Sequence, residues 1–297
     1  MKSIKTKNFN WLYFENPDKD DLSAIQKIFN PHPVVLGEFN SPTYRPRVVR
    51  YNDYIFMVLH FPLFNEKTRI PKIGEIDILF NQEFLATSCS HYQHPLFHFF
   101  EQIRKEQGNE TAKIPKNTSI LLLQIIEVML NSCFPKLDHI TDKLEEIEKQ
   151  IFLGNEREMV KEISLVKRDI LNFRKSIKPQ GSILKSLSQN ILSPNIDTKA
   201  RVNDIVGAHI RVWNVLENQK EMIDSLEATN DSLFSHKLNE TMKILTVFSI
   251  IFLPGTLITG LFGINMDLPL LEFWQVLMVT IGFMLFTLLI LKIMKWF

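Results

Sequence analysis

Seven residues near the C-terminus, Asn239, Met242, Leu245, Ser249, Leu253, Thr256 and Gly260, follow one another at steps of three or four and so share one helical face. A narrow stripe of small, hydroxyl and apolar side chains can line a restricted aqueous path, its hydroxyl oxygens facing water or ions. It can equally be a packing seam, since small residues let helices approach closely, and periodicity alone leaves both readings open. A second group, His91, His94 and His98, places its last pair at the i, i+4 spacing of helix-borne metal ligands. Phe97, Phe99 and Phe100 interleave with it and no carboxylate follows before Glu101, so these read as structural or surface histidines. No Gly-x-Ser-x-Gly elbow, His-Glu-x-x-His pair or Gly-x4-Gly-Lys-Ser/Thr loop occurs, and no nucleophile and base can be paired. The expectation is a protein that is not an enzyme and carries no resident cofactor.

The stripe lies on an apolar element. Residues 244–262 and 273–291 contain no charged side chain, and as helices each spans about 28 Å, close to the hydrocarbon thickness of a bilayer. Trp274 and Trp296 fall at run ends, where amphipathic rings favour the interface. Two membrane helices are expected, 244–262 and 273–291, with an outer connection 263–272 and a tail 292–297. The competing account, a hairpin buried in a soluble core, requires five turns without a charge twice over. Lys237 and Lys243 precede the first run and Lys292 and Lys295 follow the second, while the connection has no Lys or Arg. The positive-inside rule then puts both termini and the soluble part of this multi-pass protein on the cytoplasmic side.

The remaining chain is a water-soluble sequence. Against 34 Lys+Arg and 33 Asp+Glu overall, and a formal net charge of +1, only five charges fall from Lys243 onward. The balance excludes a disordered chain, an acidic tail and nucleic-acid binding by bulk positive charge. The start, Met1 to Lys7, is polar and leads into no apolar signal segment, so export of the soluble part is not expected. Cys89 and Cys133 read as free, structural thiols of a reducing compartment.

Residues 1–115 read as an α/β domain. A short helix over Asp18–Phe29 precedes strand-like runs Arg47–Tyr51, Tyr54–Phe61, Gly74–Phe80 and Phe84–Ser90, forming a small mixed or antiparallel sheet with helices packed on it. Residues 116–196 read as a helical hairpin. Its first arm runs from Ser119 to Phe152, a break follows at Gly154-Asn155, and the return arm covers Glu156–Ile177. Residues 197–243 form a stalk helix capped by Asp197, with an apolar stripe from Val202 to Leu233. If unbroken through Phe262 it is about 97 Å long and needs neighbours for its stripe; a break near Asn230-Asp231 is the alternative. Two membrane helices cannot surround a pore, so a pore-lining stripe requires several chains with first helices inward, an assembly that would also bury the stalk's stripe.

Four further segments carry a resemblance. Asn239-Glu-Thr-Met242-Lys243, Phe252-Leu-Pro254, Gly263-Ile264-Asn265 and Met266-Asp267-Leu268-Pro269 resemble the signature of the CorA family of divalent-cation transporters. Pro33-Val34-Val35-Leu36 and the Tyr51–Phe61 segment also sit where that family has counterparts. The resemblance implies an α+β cytoplasmic domain with a long helical stalk and two C-terminal transmembrane helices, assembled as a homopentameric funnel embedded in membrane lipid. It implies Mg²⁺ transport, with Co²⁺ and Ni²⁺ as further substrates, and Zn²⁺ as the alternative cargo. Gly263 would turn the chain at the pore mouth, and Asn265 would supply a ring of amide oxygens that bind the ion's water shell. Asp267 and Glu272 would concentrate cations outside. Met242, Leu245 and Leu253 would form apolar constrictions, with Thr256 a polar ring. No ATP motif is needed, because a divalent ion crossing about 100 mV gains about 4.6 kcal/mol.

The departures from the pattern are specific. Ile264 stands where the triplet usually has Met, Gly255 follows Pro254 and is expected to loosen that turn, and Lys292 and Lys295 make a sparse basic ring. For a regulatory cation between cytoplasmic domains, Asp204 is the stalk match. Asn65 occupies the matching loop position with Glu66 beside it, and Gly207 stands where a second acid is usual. Fewer carboxylates weaken Mg²⁺ binding, and Asp204 and Glu66 also read as ordinary solvated charges. A hypothesis from another class is a cytoplasmic sensor or scaffold that the membrane hairpin merely tethers.

Overall fold

The structure is a computed structural model, and it describes residues 1–39, 41, 43, 45–63, 72–89, 94–107, 114–190, 196–263, 273–294 and 296. In chain order the elements are β1 (Lys2–Lys5), β2 (Asn10–Glu15), α1 (Lys19–Phe29), α2 (Pro33–Glu38), β3 (Arg47–Arg50), β4 (Ile55–Leu63), β5 (Lys72–Phe80) and β6 (Phe84–Cys89). There follow α3 (His94–Glu106), α4 (Thr118–Asn131), α5 (Phe134–Phe152), α6 (Glu156–Ile177), α7 (Gln180–Asn190), α8 (Ile196–Gly263) and α9 (Phe273–Ile293). The chain divides into two compact units, Met1–Glu227 and Ala228–Phe297, so the boundary falls inside α8.

In the first unit six strands form one mixed sheet in the order β1-β2-β6-β5-β4-β3, with β2 and β6 parallel and every other pair antiparallel. The four expected strands are present. The sheet has two further strands, β1 and β2; the run Asn10–Glu15 is buried at Trp11, Leu12, Tyr13 and Phe14 and shows no alternation that would mark it as a strand. One face packs Leu12, Phe14, Phe56, Val58 and Leu79 under Ile25 and Phe29 of α1 and Val35 of α2. On the other, Trp11 lies edge-on to Phe100 of α3 at 5.0 Å, and Tyr13 meets Phe97 at 5.8 Å. Asp18 starts α1 by accepting the Asp21 N–H at 2.8 Å, and Asn30 ends it in the left-handed region at φ 45°.

The expected arm Ser119–Phe152 is two helices. Pro135 has no N–H to give the Asn131 carbonyl, so α4 ends at Asn131 and α5 starts afresh with the proline in its first turn. α5 and α6 pack together beyond a turn at Gly154, whose φ of 93° suits glycine. α6 runs antiparallel to the first part of α8. His209 Nε2 donates to the Ile177 carbonyl at 3.0 Å, Arg174 pairs with Glu217 at 2.8 Å, and Lys167 reaches Asp224 at 3.1 Å. Gln219 of α8 donates to the Leu137 carbonyl of α5 at 2.7 Å.

This packing corrects one expectation. Val202, Ile205, Val212, Leu216, Ile223 and Leu226 are already buried within the chain, so the stalk's stripe does not need other subunits to cover it. No break occurs near Asn230-Asp231; α8 is continuous to Gly263. Cys89 and Cys133 are both buried and in no disulfide, and burial pushes the Cys133 thiol up to about 12.

Candidate functional site

The second unit holds the end of α8 and α9. Among the described residues three stretches are long and apolar enough to cross a membrane: Thr118–Phe152, Thr198–Leu261 and Trp274–Ile293. More than half of the most apolar window of the first is buried inside the first unit. In the other two the most apolar window is left almost bare, 6% and 11% buried, and it is there that the apolar runs expected to span lie.

Within the second unit, α9 covers one side of α8. Gly255 is buried and Ile251 and Ile258 are half-buried on that side. A Cβ at Gly255 would lie 2.7 Å from Met284 Cε and 3.4 Å from Thr280 Cγ2. The glycine is therefore the seat on which Met284 rests. The expectation that Gly255 loosens its turn is replaced: α8 stays helical through Pro254, and the absence of a side chain at 255 serves close helix approach.

The stripe occupies the other side. At about 100° per residue, Ser249, Leu253, Thr256 and Gly260 point roughly 160° away from the mean direction of Ile251, Gly255 and Ile258. Met242, Leu245 and Leu253 are 53%, 59% and 67% exposed, Asn239, Ser249 and Thr256 are also exposed, and nothing lies within 4 Å of a Cβ at Gly260. Bulky exposed residues flank it, Phe248 and Phe252 on one side and Leu257 and Leu261 on the other.

The hydroxyls of the stripe are oriented by their own helix. Ser249 Oγ donates to the Leu245 carbonyl at 2.9 Å and Thr256 Oγ1 to the Phe252 carbonyl at 3.0 Å. Each donor is thereby satisfied without water, and each oxygen keeps its lone pairs as acceptors on the exposed face. Acceptor oxygens beside apolar side chains suit a hydrated cation and repel no positive charge.

The other nominated residues separate into two groups. Gly263 is the last residue of α8, with open space at its Cβ position. Asp204 is exposed on α8 in the first unit, and an added Cβ at Gly207 would meet Arg211 at 3.5 Å. Ile264, Asn265, Asp267, Glu272, Asn65, Glu66 and His91 lie outside the described residues. His94 and His98 share α3, and among the described residues no three His, Cys, Asp or Glu side chains converge as a metal site. Phe97, before His98, and Phe99 and Phe100, after it, pack on Trp11 and Tyr13.

Comparison with known proteins joins these observations. Residues 6–296 match the family described as CorA-like Mg²⁺ transporter protein. The chain is 25% identical over 252 residues to the cobalt/magnesium transport protein CorA of Thermotoga maritima, spanning 84% of this chain and 70% of that one. It is 21% identical over 260 residues to the zinc transport protein ZntB of Yersinia enterocolitica, spanning 86% and 76%. Its fold is similar to the complete structure of the CorA magnesium transporter from Methanocaldococcus jannaschii, with a TM-score of 0.85 at 21% identity over 100% of this chain and 95% of that one. The mixed sheet, long helices and apolar C-terminal pair are thus the expected α+β, stalk-and-hairpin architecture. Members of the family are channel-like transporters and not enzymes. The chain belongs to the CorA family and is a membrane transporter of divalent metal ions.

Proposed function

We propose that the chain works as a homopentamer in the inner (plasma) membrane and admits Mg²⁺, with Co²⁺ and Ni²⁺ as further substrates, down the membrane potential. The observation that carries this reading is the position of the stripe opposite the α9 contact. Two helices cannot enclose a path, so copies must meet through α8, and the face free of α9 is the one available to face a shared axis. Leu245, Leu253 and Met242 are then rings that close by dewetting, Ser249 and Thr256 are rings of acceptor oxygens, and Asn239 and Gly260 lie toward the two ends. Gly263, Ile264 and Asn265 form the entrance, where the neutral Asn265 amide holds a hydrated Mg²⁺ without trapping it. Asp267 and Glu272 raise the local cation concentration at the mouth, and no resident cofactor is required. The lysines at 237, 243, 292 and 295 support both termini facing the cytoplasm. Asp204, with Glu66, is the candidate for a regulatory cation.

The test is ion flux into proteoliposomes under a fixed potential. Mg²⁺ entry should be carried by the native chain and fall at least about tenfold in Asn265→Ala, the loss of about 1.4 kcal/mol of ion stabilisation at the mouth. Equal and negligible flux from both proteins would sink this reading. Asp204→Ala should relieve inhibition by internal Mg²⁺; unchanged inhibition removes Asp204 from regulation. The likeness to a zinc transport protein, together with Ile264 in the triplet, favours a second reading in which Zn²⁺ is the cargo. Zn²⁺ flux exceeding Mg²⁺ flux at equal concentration and potential would select it.

A further inference from the structure

One face of the sheet changes character at its end. Along the β4–β5 ladder Phe56 pairs with Leu79, Val58 with Asp77 and His60 with Glu75. Alternate residues share a face, so His60, Glu75 and Asp77 continue the side on which Phe56, Val58 and Leu79 build the core with α1 and α2. All three are buried, at 6%, 6% and 5% exposure. The Thr43 N–H, between α2 and β3, lies 2.9 Å from Glu75 Oε1 and 2.7 Å from Oε2. His60 Nε2 lies 3.1 Å from the Thr43 carbonyl and 3.2 Å from Glu75 Oε2. Both of those neighbours are acceptors, so Nε2 bears the hydrogen and donates.

Glu75 therefore receives donors on both oxygens, as a carboxylate does. Asp77 lies two residues further along the same buried strand face, and two carboxyl groups crowded together out of water are held there only when one of them carries a proton. That proton belongs to Asp77, whose Oδ1 is buried and meets no donor, an environment that suits a neutral carboxyl and disfavours a carboxylate. Among the described residues, Glu38 of α2 adds a third acid, and Arg47 of β3 is ion-paired to Glu38. Lys136 of α5 donates to the Pro62 carbonyl at 2.7 Å, and Gln180 of α7 donates to the His60 carbonyl. Among the described residues neither Glu75 nor Asp77 is ion-paired to a lysine or arginine.

We propose that Glu75 and Asp77 hold one proton between them and, with His60, form an internal proton-binding site that ties Thr43 to the β4–β5 hairpin and releases it when the proton leaves. Burial, then the Glu75 and Glu38 charges, push the Asp77 carboxyl well above its ordinary value of 3.8. The sign follows. Below 3.8 folded and unfolded chains are both protonated here, and this group adds no pH dependence. Between 3.8 and the raised value only the folded chain holds the proton, so stability falls as pH rises. Above it, two adjacent buried carboxylates repel and the Thr43 tie opens.

The experiment uses the full chain in detergent micelles. Infrared absorption at about pH 7 should show the carbonyl stretch of an undissociated carboxylic acid, and Asp77→Asn should abolish it. The asparagine amide keeps a donor toward Glu75 but cannot titrate, so the fall in Tm from about pH 5 to about pH 7 should be shallower in this variant than in the native chain. Glu75→Gln is a second variant, expected to shift the band without removing it. A native chain without the band, or a band that survives Asp77→Asn, overturns the proposal. So does an identical fall in Tm for native and Asp77→Asn chains.

Discussion

Two regions of this chain look alike as sequence and end in different solvents. Thr118–Phe152 and Trp274–Ile293 are both long and apolar enough to cross a bilayer, yet the most apolar window of the first is 56% buried inside the protein and that of the second 11%. The difference is made by partners. α4 is capped by Asn117, tied by the Thr118 hydroxyl to the Asn81 carbonyl at 2.6 Å, and packed beside β6 and α3. Among the described residues α9 meets the Gly255 side of α8, and most of its other side chains are exposed. Apolar composition nominates a membrane helix, and the surface that covers it decides.

The comparison can be broken most forcefully by cutting the same side chain from each region. Leu122 of α4 is fully buried, whereas Leu285 of α9 is 62% exposed. Leu122→Ala should cost about 2–5 kcal/mol, through lost burial and a cavity, and lower the first unfolding transition in calorimetry. Leu285→Ala should leave that transition in place. Equal shifts would mean that α9 is as enclosed as α4.

The contact that α9 does make is tested at Gly255. Gly255→Ala needs only the Met284 methyl to swing aside and should be close to neutral, helped by alanine's higher helix propensity. Gly255→Leu has no such escape and should destabilise the two-helix unit by about 1–3 kcal/mol, read as a lower Tm in micelles. A neutral Gly255→Leu would show that the helices do not meet there.

Chemical labelling sharpens the distinction between bare faces. Cys89 and Cys133 are buried, and the raised Cys133 value keeps its thiol protonated at neutral pH, so the native background is low. Thr256→Cys should react at least about tenfold faster with a charged thiol reagent than Leu285→Cys, because only a wetted face supports a thiolate. Equal rates would make the stripe a lipid or packing face.

What could be read beforehand follows the same divide. The membrane pair, the strands from Arg47 to Cys89 and the face of α8 bearing Ser249 and Thr256 all announce themselves through a charge gap or a period. β2 did not, because both its sides are buried and Trp11 to Phe14 has no alternation. Pro135 is a stop signal set inside a run whose apolar spacing continues across it. The role of Gly255 depends on Met284, a contact across the hairpin that no spacing within α8 encodes. Glu75 and Asp77 alternate with apolar residues along their strand, and only the cover on that side of the sheet makes them interior groups.

The smallest effect is expected where the first unit is most charged. Lys167 of α6 bridges Asp224 and Glu227 of α8, and Lys220 also reaches Asp224. Hydrogen bonds to Glu227 and Asp224 raise the lysine above its ordinary 10.5, and the Lys220 hydrogen bond first, then that of Lys167, lowers Asp224 below 3.8. The raised base stabilises below 10.5 and loses that contribution as pH climbs through its folded value. The lowered acid stabilises above 3.8 and loses its contribution as pH falls through its own. Between those limits the network is fully charged and adds no slope, so any pH dependence near neutrality belongs elsewhere in the unit. Because the side chains are well solvated, Lys167→Ala should cost no more than about 1 kcal/mol. Most of that difference should vanish in about 1 M salt, where the screening length is about 3 Å. A salt-insensitive loss above that size would mean that the lysine stem, packed between α6 and α8, matters more than its charge.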